Sequence, residues 1–211
     1  MTRGLIVSGG HVNHDLLLKV LKSPYDQIIA VDGGMNPLWV LGVNPDVLLG
    51  DFDSCKSLPL AHYRQEGIKE ITFSKQKDMT DTELALVEAI RMGLDQVVVV
   101  GATGTRLDHT LANMMVALKY KHELDVVLLD ATNKIFPAKS GLEIGKEHYK
   151  YLSLQPMTEF VTNVTLEGVA YPLKEATLVR NSSYAVSNEI VSESCYLTFD
   201  AGEMLVIQSI D

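Results

Sequence analysis

The chain has 211 residues, 46% hydrophobic and 21% charged, with a formal charge of −9 at pH 7, the make-up of a globular protein of one large domain or two small ones. The acidic balance, without a basic run or interleaved aromatic and basic residues, excludes nucleic acid as a partner. No apolar stretch approaches the ~20 residues that cross a bilayer, so no membrane partner is expected. The first residues carry no apolar block with a cleavage site. Cys55 and Cys195 show no metal-ligand spacing. A cytoplasmic chain with free thiols is the expectation.

Residues 1–133 alternate apolar β-branched runs with helical patterns. The runs are Leu5 to Val7, Ile28 to Val31, Val47 to Leu49, Ile68 to Phe73, Val97 to Val100 and Val126 to Leu129. Helical periodicity is clearest over Thr82 to Met92 and Leu111 to Tyr120. Continuous apolar strands separated by helices predict a doubly wound, mostly parallel α/β domain. Pro137, Ser140, Gly141 and Gly145 then punctuate a stretch read as a linker over 134–142. Residues 143–211 read as short strands, at Tyr149 to Leu154, Phe160 to Leu166, Thr177 to Val179, Cys195 to Phe199 and Met204 to Ile207. Turns fall at Gly168, Pro172, Asn181-Ser182 and Ala201-Gly202. This predicts a small all-β sandwich domain.

Polar clusters follow the predicted strands, where open parallel sheets bind their ligands. Asp32-Gly33-Gly34 follows the second run and Gly50-Asp51-Phe52-Asp53-Ser54 the third. Lys75 to Asp81 follows the fourth, and Gly101 to His109 the fifth. Asp51 and Asp53, two residues apart, aim at one point in an extended or turning segment, an arrangement that suits a hard cation such as Mg²⁺. A solvated Asp pair in a turn is the plainer alternative. Six aspartates on one rim (Asp32, Asp51, Asp53, Asp78, Asp81 and Asp108) repel one another unless a cation joins them. Lys75, Lys77 and Arg106 supply phosphate contacts, and Gly101, Gly104 and the helix start after them offer backbone N–H groups. Asp78 and Thr80 stand at a helix start, where one of them is expected to be a cap. His109 is either a ligand or, more commonly for such a position, a structural hydrogen-bonder. Trp39 and the pair Met114-Met115 read as core.

Several motifs are absent. Gly101 to Arg106 does not end in the Gly-Lys-Ser/Thr of a P-loop, and Ser8-Gly9-Gly10 lacks the dinucleotide glycine pattern. No elbow or Cys/His pairing indicates a covalent nucleophile.

Taken together, Asp32-Gly33-Gly34-Met35-Asn36, Pro45-Asp46, Gly50-Asp51-Phe52-Asp53-Ser54, Lys77-Asp78-Met79-Thr80-Asp81 and Gly104-Thr105-Arg106-Leu107-Asp108-His109 resemble the thiamine pyrophosphokinase family in order and spacing. Tyr151 to Leu154, Gly168 to Leu173 and Val186-Ser187-Asn188-Glu189 are similar to that family's C-terminal motifs. The resemblance implies an N-terminal α/β domain that binds ATP and Mg²⁺, and a C-terminal β-sandwich that binds thiamine. It also implies a homodimer with active sites at the subunit interface, and transfer of the pyrophosphoryl group of ATP to the hydroxyl of thiamine. By motif match, Asp51, Asp53 and Asp81 resemble the Mg²⁺ carboxylates. Asp32, Gly33, Asn36, Lys77, Asp78, Thr80, Gly104, Arg106 and His109 fall on the ATP side. Ser187, Asn188 and Asp108 fall on the thiamine side. Asp51, Asp53, Asp81, Arg106 and Asp108 form the catalytic set, with Asp108 or Asp78 beside the attacking hydroxyl. Met35 and Thr105 depart from the residues expected of the family at those positions. Tyr171 and Tyr184 are both candidates to pack on thiamine.

Two other readings compete. Asp51-Phe52-Asp53 also resembles the Asp-x-Asp motif of haloacid-dehalogenase phosphatases, but there it follows the first strand and here the third. A nucleotide- or thiamine-binding regulator without chemistry is the non-enzyme reading, and the intact carboxylate set argues against it.

Overall fold

The computed structural model describes residues 1–52, 55–73 and 78–211 of the chain, which form two compact units, Met1–Ala131 and Thr132–Asp211. The first unit runs β1 (Arg3–Val7), α1 (His14–Val20), β2 (Gln27–Val31), α2 (Met35–Val40), β3 (Val47–Gly50), α3 (Ser57–Gln65), β4 (Lys69–Thr72), α4 (Asp81–Arg91), β5 (Gln96–Val100), α5 (Leu107–Lys119) and β6 (Asp125–Leu129). Its strands are parallel and lie in the order β4-β3-β2-β1-β5-β6.

The strand sequences explain this placement. Leu5 and Val7 share a buried cluster with Leu17 of α1, Met35 and Leu38 of α2, and Tyr63 of α3. Ile6, Ile29, Leu49, Val97 and Val99, of opposite parity, are buried as well, and α4 contacts β2 and β3. Strands covered on both faces cannot alternate apolar and polar residues, so they read as unbroken apolar runs. The order reverses at β1, whose neighbours are β2 and β5. A crevice therefore opens beyond the carboxyl ends of these central strands.

The first helical turn after β2 lies very close to β1. A methyl group on Gly34 would stand 1.8 Å from the Val7 carbonyl oxygen. This contact fixes the turn that carries Asp32.

The second unit contains β7 (Asn133–Pro137), β8 (Leu142–Gly145), β9 (Tyr151–Pro156), β10 (Phe160–Glu167), β11 (Leu173–Val179), β12 (Ser194–Thr198) and β13 (Met204–Ser209). β13 pairs antiparallel with both β7 and β9, and β11-β10-β12-β8 form a second antiparallel set. Leu152, Leu154, Met204 and Val206 from the first set share one core with Val161, Val164, Cys195 and Leu197 from the second. Mixed α/β structure followed by an antiparallel sandwich is the fold class expected from the sequence.

Three expectations need correction. The stretch 134–142 carries most of β7 and the first residue of β8 in place of a linker. Its proline and glycines mask a strand whose pairing with β13, Asn133↔Ser209 to Pro137↔Leu205, is non-local. Trp39 is exposed, because the short helix α2 buries only Met35 and Leu38. Met115 is also exposed, on the side of α5 away from buried Asn113 and Ala117.

Gly34→Ala is expected to lower unfolding free energy by about 3 kcal/mol, since the added methyl meets backbone that cannot rotate aside. Urea denaturation measures it, and an unchanged midpoint would contradict the close approach.

Candidate active site

The described polar residues around Asp32, Asp51 and Gly101 follow the ends of β2, β3 and β5. Asp32 follows β2 with φ of 44°, in the left-handed region that Asp tolerates better than most residues. It is only 9% exposed. Its Oδ1 accepts a hydrogen bond from the Phe52 N–H at 3.1 Å, joining the ends of β2 and β3. Gly50 makes that approach possible: it has φ of 148°, and a Cβ there would lie 1.9 Å from Asp32 Oδ1.

Burial raises the pKa of Asp32 to about 6, reinforced by the negative charge of Asp81 and, more weakly, of Asp51, while the Phe52 N–H works the other way. Asp32, Asp51 and Asp81 are therefore electrostatic neighbours. Asp53, Ser54 and the segment that includes Lys75 and Lys77 lie outside the described residues.

Asp81 opens α4, and Thr80 is the N-cap, its hydroxyl accepting from the Glu83 N–H at 3.2 Å. The cap expected at Asp78 or Thr80 is thus Thr80, while Asp78 is exposed. Glu83 turns away from the cap to Lys119 Nζ, at 2.7 Å, and the Tyr120 hydroxyl, at 3.2 Å, tying α4 to the end of α5. The Ser8 and Thr82 hydroxyls meet at 3.1 Å and tie α4 to the end of β1.

The loop after β5 is held at several points. Thr103 donates to Asp130 at 2.8 Å, and Asn113 Nδ2 donates to the Ala102 carbonyl at 2.7 Å. The Thr110 hydroxyl accepts from the Gly104 N–H and donates to the Arg106 carbonyl, both at 3.2 Å. The Gly10 N–H donates to the Gly101 carbonyl at 3.0 Å and brings the loop after β1 alongside. Together these segments surround a cleft of about 560 Å³ lined by Asp32, Thr80, Asp81, Gly104, Arg106 and His109 among the predicted residues.

Gly33, Asn36, Asp51, Asp78 and Asp108 are not among the described residues lining this cleft. Asn36 sits in α2 with its Oδ1 buried and unpartnered. Sequence reasoning missed Ser8, Gly10, His11, Thr82, Thr103, Thr110 and Asn113 as parts of the wall or its supports. The glycine pair after β1 was the available signal.

Arg106 and Asp108 form an exposed two-point pair, Nε to Oδ1 at 3.2 Å and Nη2 to Oδ2 at 2.6 Å. That pair, with the His109 N–H, holds the Asp108 carboxyl down to about 2. A carboxylate so stabilised is a weak proton acceptor. Among the described residues, no group of three or more His, Cys, Asp or Glu side chains is arranged to hold a metal ion.

In the second unit Ser187 is exposed, with φ of 60°, and its N–H donates to Ser153 Oγ at 3.0 Å. Asn188 is buried beside it, next to a concavity of about 90 Å³ lined by Tyr171, Pro172, Leu173, Tyr184, Ala185 and Val186 as well as Asn188 itself.

Comparison with known proteins gives the chain its relatives. The model described as "Thiamin pyrophosphokinase, catalytic domain" matches residues 18–128, and "Thiamin pyrophosphokinase, vitamin B1 binding domain" matches residues 140–204. A thiamine pyrophosphokinase of Bacillus subtilis (strain 168) is 31% identical over 209 residues, covering 98% of each chain. The crystal structure of thiamine pyrophosphokinase from Bacillus subtilis superposes with a TM-score of 0.89 at 28% identity over 100% of both chains. That of Geobacillus thermodenitrificans thiamin pyrophosphokinase gives 0.87 at 28% identity, covering 100% of this chain and 98% of the other.

An acid whose folded pKa lies above its unfolded value is destabilising once ionised. The penalty contributed by Asp32 is absent below the ordinary carboxylate range, near 3.8, and fully developed above about 6. In metal-free protein, the thermal midpoint is therefore expected to fall as pH rises through that window, and Asp32→Asn should flatten the fall. Parallel pH profiles for the two proteins would contradict the crowding of carboxylates.

Proposed function

We propose a residue-level mechanism from the premise that the chain belongs to the thiamine pyrophosphokinase family. The chain is an ATP-dependent thiamine diphosphokinase that transfers the pyrophosphoryl group of ATP to the hydroxyl of thiamine, giving thiamine diphosphate and AMP. In this reaction an alcohol oxygen bonds to the β-phosphorus, the bond to the AMP oxygen breaks, and the hydroxyl proton leaves. Such transfers depend on positioning and on neutralising charge spread over phosphate oxygens.

The observation that carries the assignment is the meeting of Asp32, Asp81 and the Gly101–Arg106 loop at one cleft beyond the ends of β1, β2 and β5. ATP is proposed to lie there against Asp32, Thr80, Gly104 and His109 of the lining, with Lys77 also assigned to its phosphates and Gly33, Asn36 and Asp78 bordering the site without lining the cleft. Asp51, Asp53 and Asp81 are proposed to hold Mg²⁺. Carboxylate oxygens suit a hard cation, and the charges of Asp81 and Asp51, which add to burial in raising Asp32, mark a place where positive charge is favoured. When bound, the ion supplies positive charge to the phosphate oxygens. Arg106 exchanges the Asp108 carboxylate for phosphate, since both accept its two-pronged donor. Asp108, released beside the thiamine hydroxyl, orients it. Once Arg106 has left it, Asp108 is also free to accept the hydroxyl proton, and Asp78 is the other candidate acceptor. Ser187 and Asn188 are assigned to the thiamine side.

The first unit is then the catalytic domain and the second the thiamine-binding domain, which takes in the stretch 134–142 expected to be a linker. The reading includes a cytoplasmic homodimer with active sites at the subunit interface. Leu107, Leu111 and Met115, spaced one turn apart and exposed along α5, support self-association. No helix among the described residues is long and apolar enough to cross a membrane.

Incubation with ATP, Mg²⁺ and thiamine is expected to yield AMP and thiamine diphosphate in equal amounts by chromatography. Asp53→Asn and Asp81→Asn are each expected to lower turnover by about a hundredfold or more while the circular dichroism stays that of wild type. Near-normal turnover at saturating Mg²⁺ would remove both residues from the metal site. Sedimentation equilibrium should give twice the chain mass, and a monomer that retains full activity would overturn the shared-site reading.

A further inference from the structure

Asn188 is 7% exposed, and its main chain exchanges hydrogen bonds with Leu152 of β9 in both directions, at 2.8 and 2.9 Å. Its side chain makes a second such pair with Tyr171. The Tyr171 N–H donates to Asn188 Oδ1 at 3.0 Å, and Asn188 Nδ2 donates to the Tyr171 carbonyl at 2.7 Å. Oδ1 also accepts from the Glu189 N–H at 2.9 Å. The amide thus pairs with the Tyr171 backbone as a neighbouring strand would. With Oδ1 serving two donors and Nδ2 engaged, at most one N–H remains for anything else.

The Tyr171 ring, by contrast, is 72% exposed, and so is that of Tyr184, at 69%, on the same small concavity. Loop backbone is ordinarily left to move, and fixing it costs conformational entropy. Here a buried amide fixes both polar groups of a loop residue whose large side chain contributes nothing to the core. The arrangement fits a ring held ready for a ligand, which spares the ligand the cost of ordering it.

We propose that Asn188 is a positioning residue for thiamine that acts through Tyr171, holding its backbone so that the ring meets the cationic thiazolium of the substrate. This rests on the reading that the second unit holds thiamine, and it moves Asn188 from contact to support.

Steady-state kinetics on Asn188→Ala, Tyr171→Ala and the double variant test it. Each single variant is expected to raise KM for thiamine about tenfold, the value of one cation–π contact, with KM for ATP unchanged. The double variant should be no worse than Tyr171→Ala alone, and the Tyr171 amide should lose hydrogen-exchange protection in Asn188→Ala. Losses that add would place Asn188 directly on the ligand and overturn the proposal, as would an unchanged KM in Tyr171→Ala. If Asn188→Ala does not fold, Asn188→Asp runs the same cycle, because it keeps Oδ1 and turns an oxygen toward the Tyr171 carbonyl. Wild-type protein that forms no AMP from ATP and thiamine would fail the functional reading itself, a result distinct from either outcome above.

Discussion

The first unit is organised around a buried carboxylate that has no neutralising cation beside it among the described contacts. Asp32 is held in a left-handed turn by the Phe52 N–H, and the approach is possible only because Gly50 has no side chain. The turn itself is set by the contact of Gly34 with the end of β1. Two glycines and one amide therefore bring the ends of β1, β2 and β3 together, with Asp51 and Asp81 close enough to raise Asp32 further. Such crowding is unfavourable in the isolated chain. It becomes favourable when positive charge arrives, and a phosphate-transferring site depends on that difference.

Around this acidic centre the supports are hydrogen bonds. Thr103 to Asp130, Asn113 to Ala102 and Thr110 to Gly104 and Arg106 fix the loop after β5, while Ser8 and Thr82 fix the start of α4. Lys119 with Glu83 is an ion pair among them, and so is the exposed pair of Arg106 with Asp108. Surface ion pairs contribute little stability, so the latter stores a guanidinium fork in a usable orientation and releases it cheaply. In the second unit the amide of Asn188 does comparable work, replacing a strand where the chain has only a loop.

Much of this was legible in the chain. Buried parallel strands must be apolar throughout, so β1, β2, β3 and β5 announced themselves, and the punctuated acidic clusters marked their ends. Legibility failed where pairing is non-local. β7 contains Lys134 and Pro137 and looks like a linker until β13, some seventy residues later, is placed beside it. Trp39 and Met115 failed for another reason: an apolar residue in a helical run reads as core, and only the helix's rotation against the sheet decides which side is covered.

The sequence by itself determined the fold class, the strand ends that Asp32 and Asp51 follow, and the family, because those follow from local pattern and motif order. Tertiary structure decided which residues share a cleft. It placed Ser8, Thr103 and Asn113 at the wall or behind it, paired Arg106 with Asp108, and gave Asn188 to Tyr171. The physical reason is range. Propensity, periodicity and motif spacing act over a few residues, whereas a hydrogen bond to a distant backbone group exists only after the strands between have found their register.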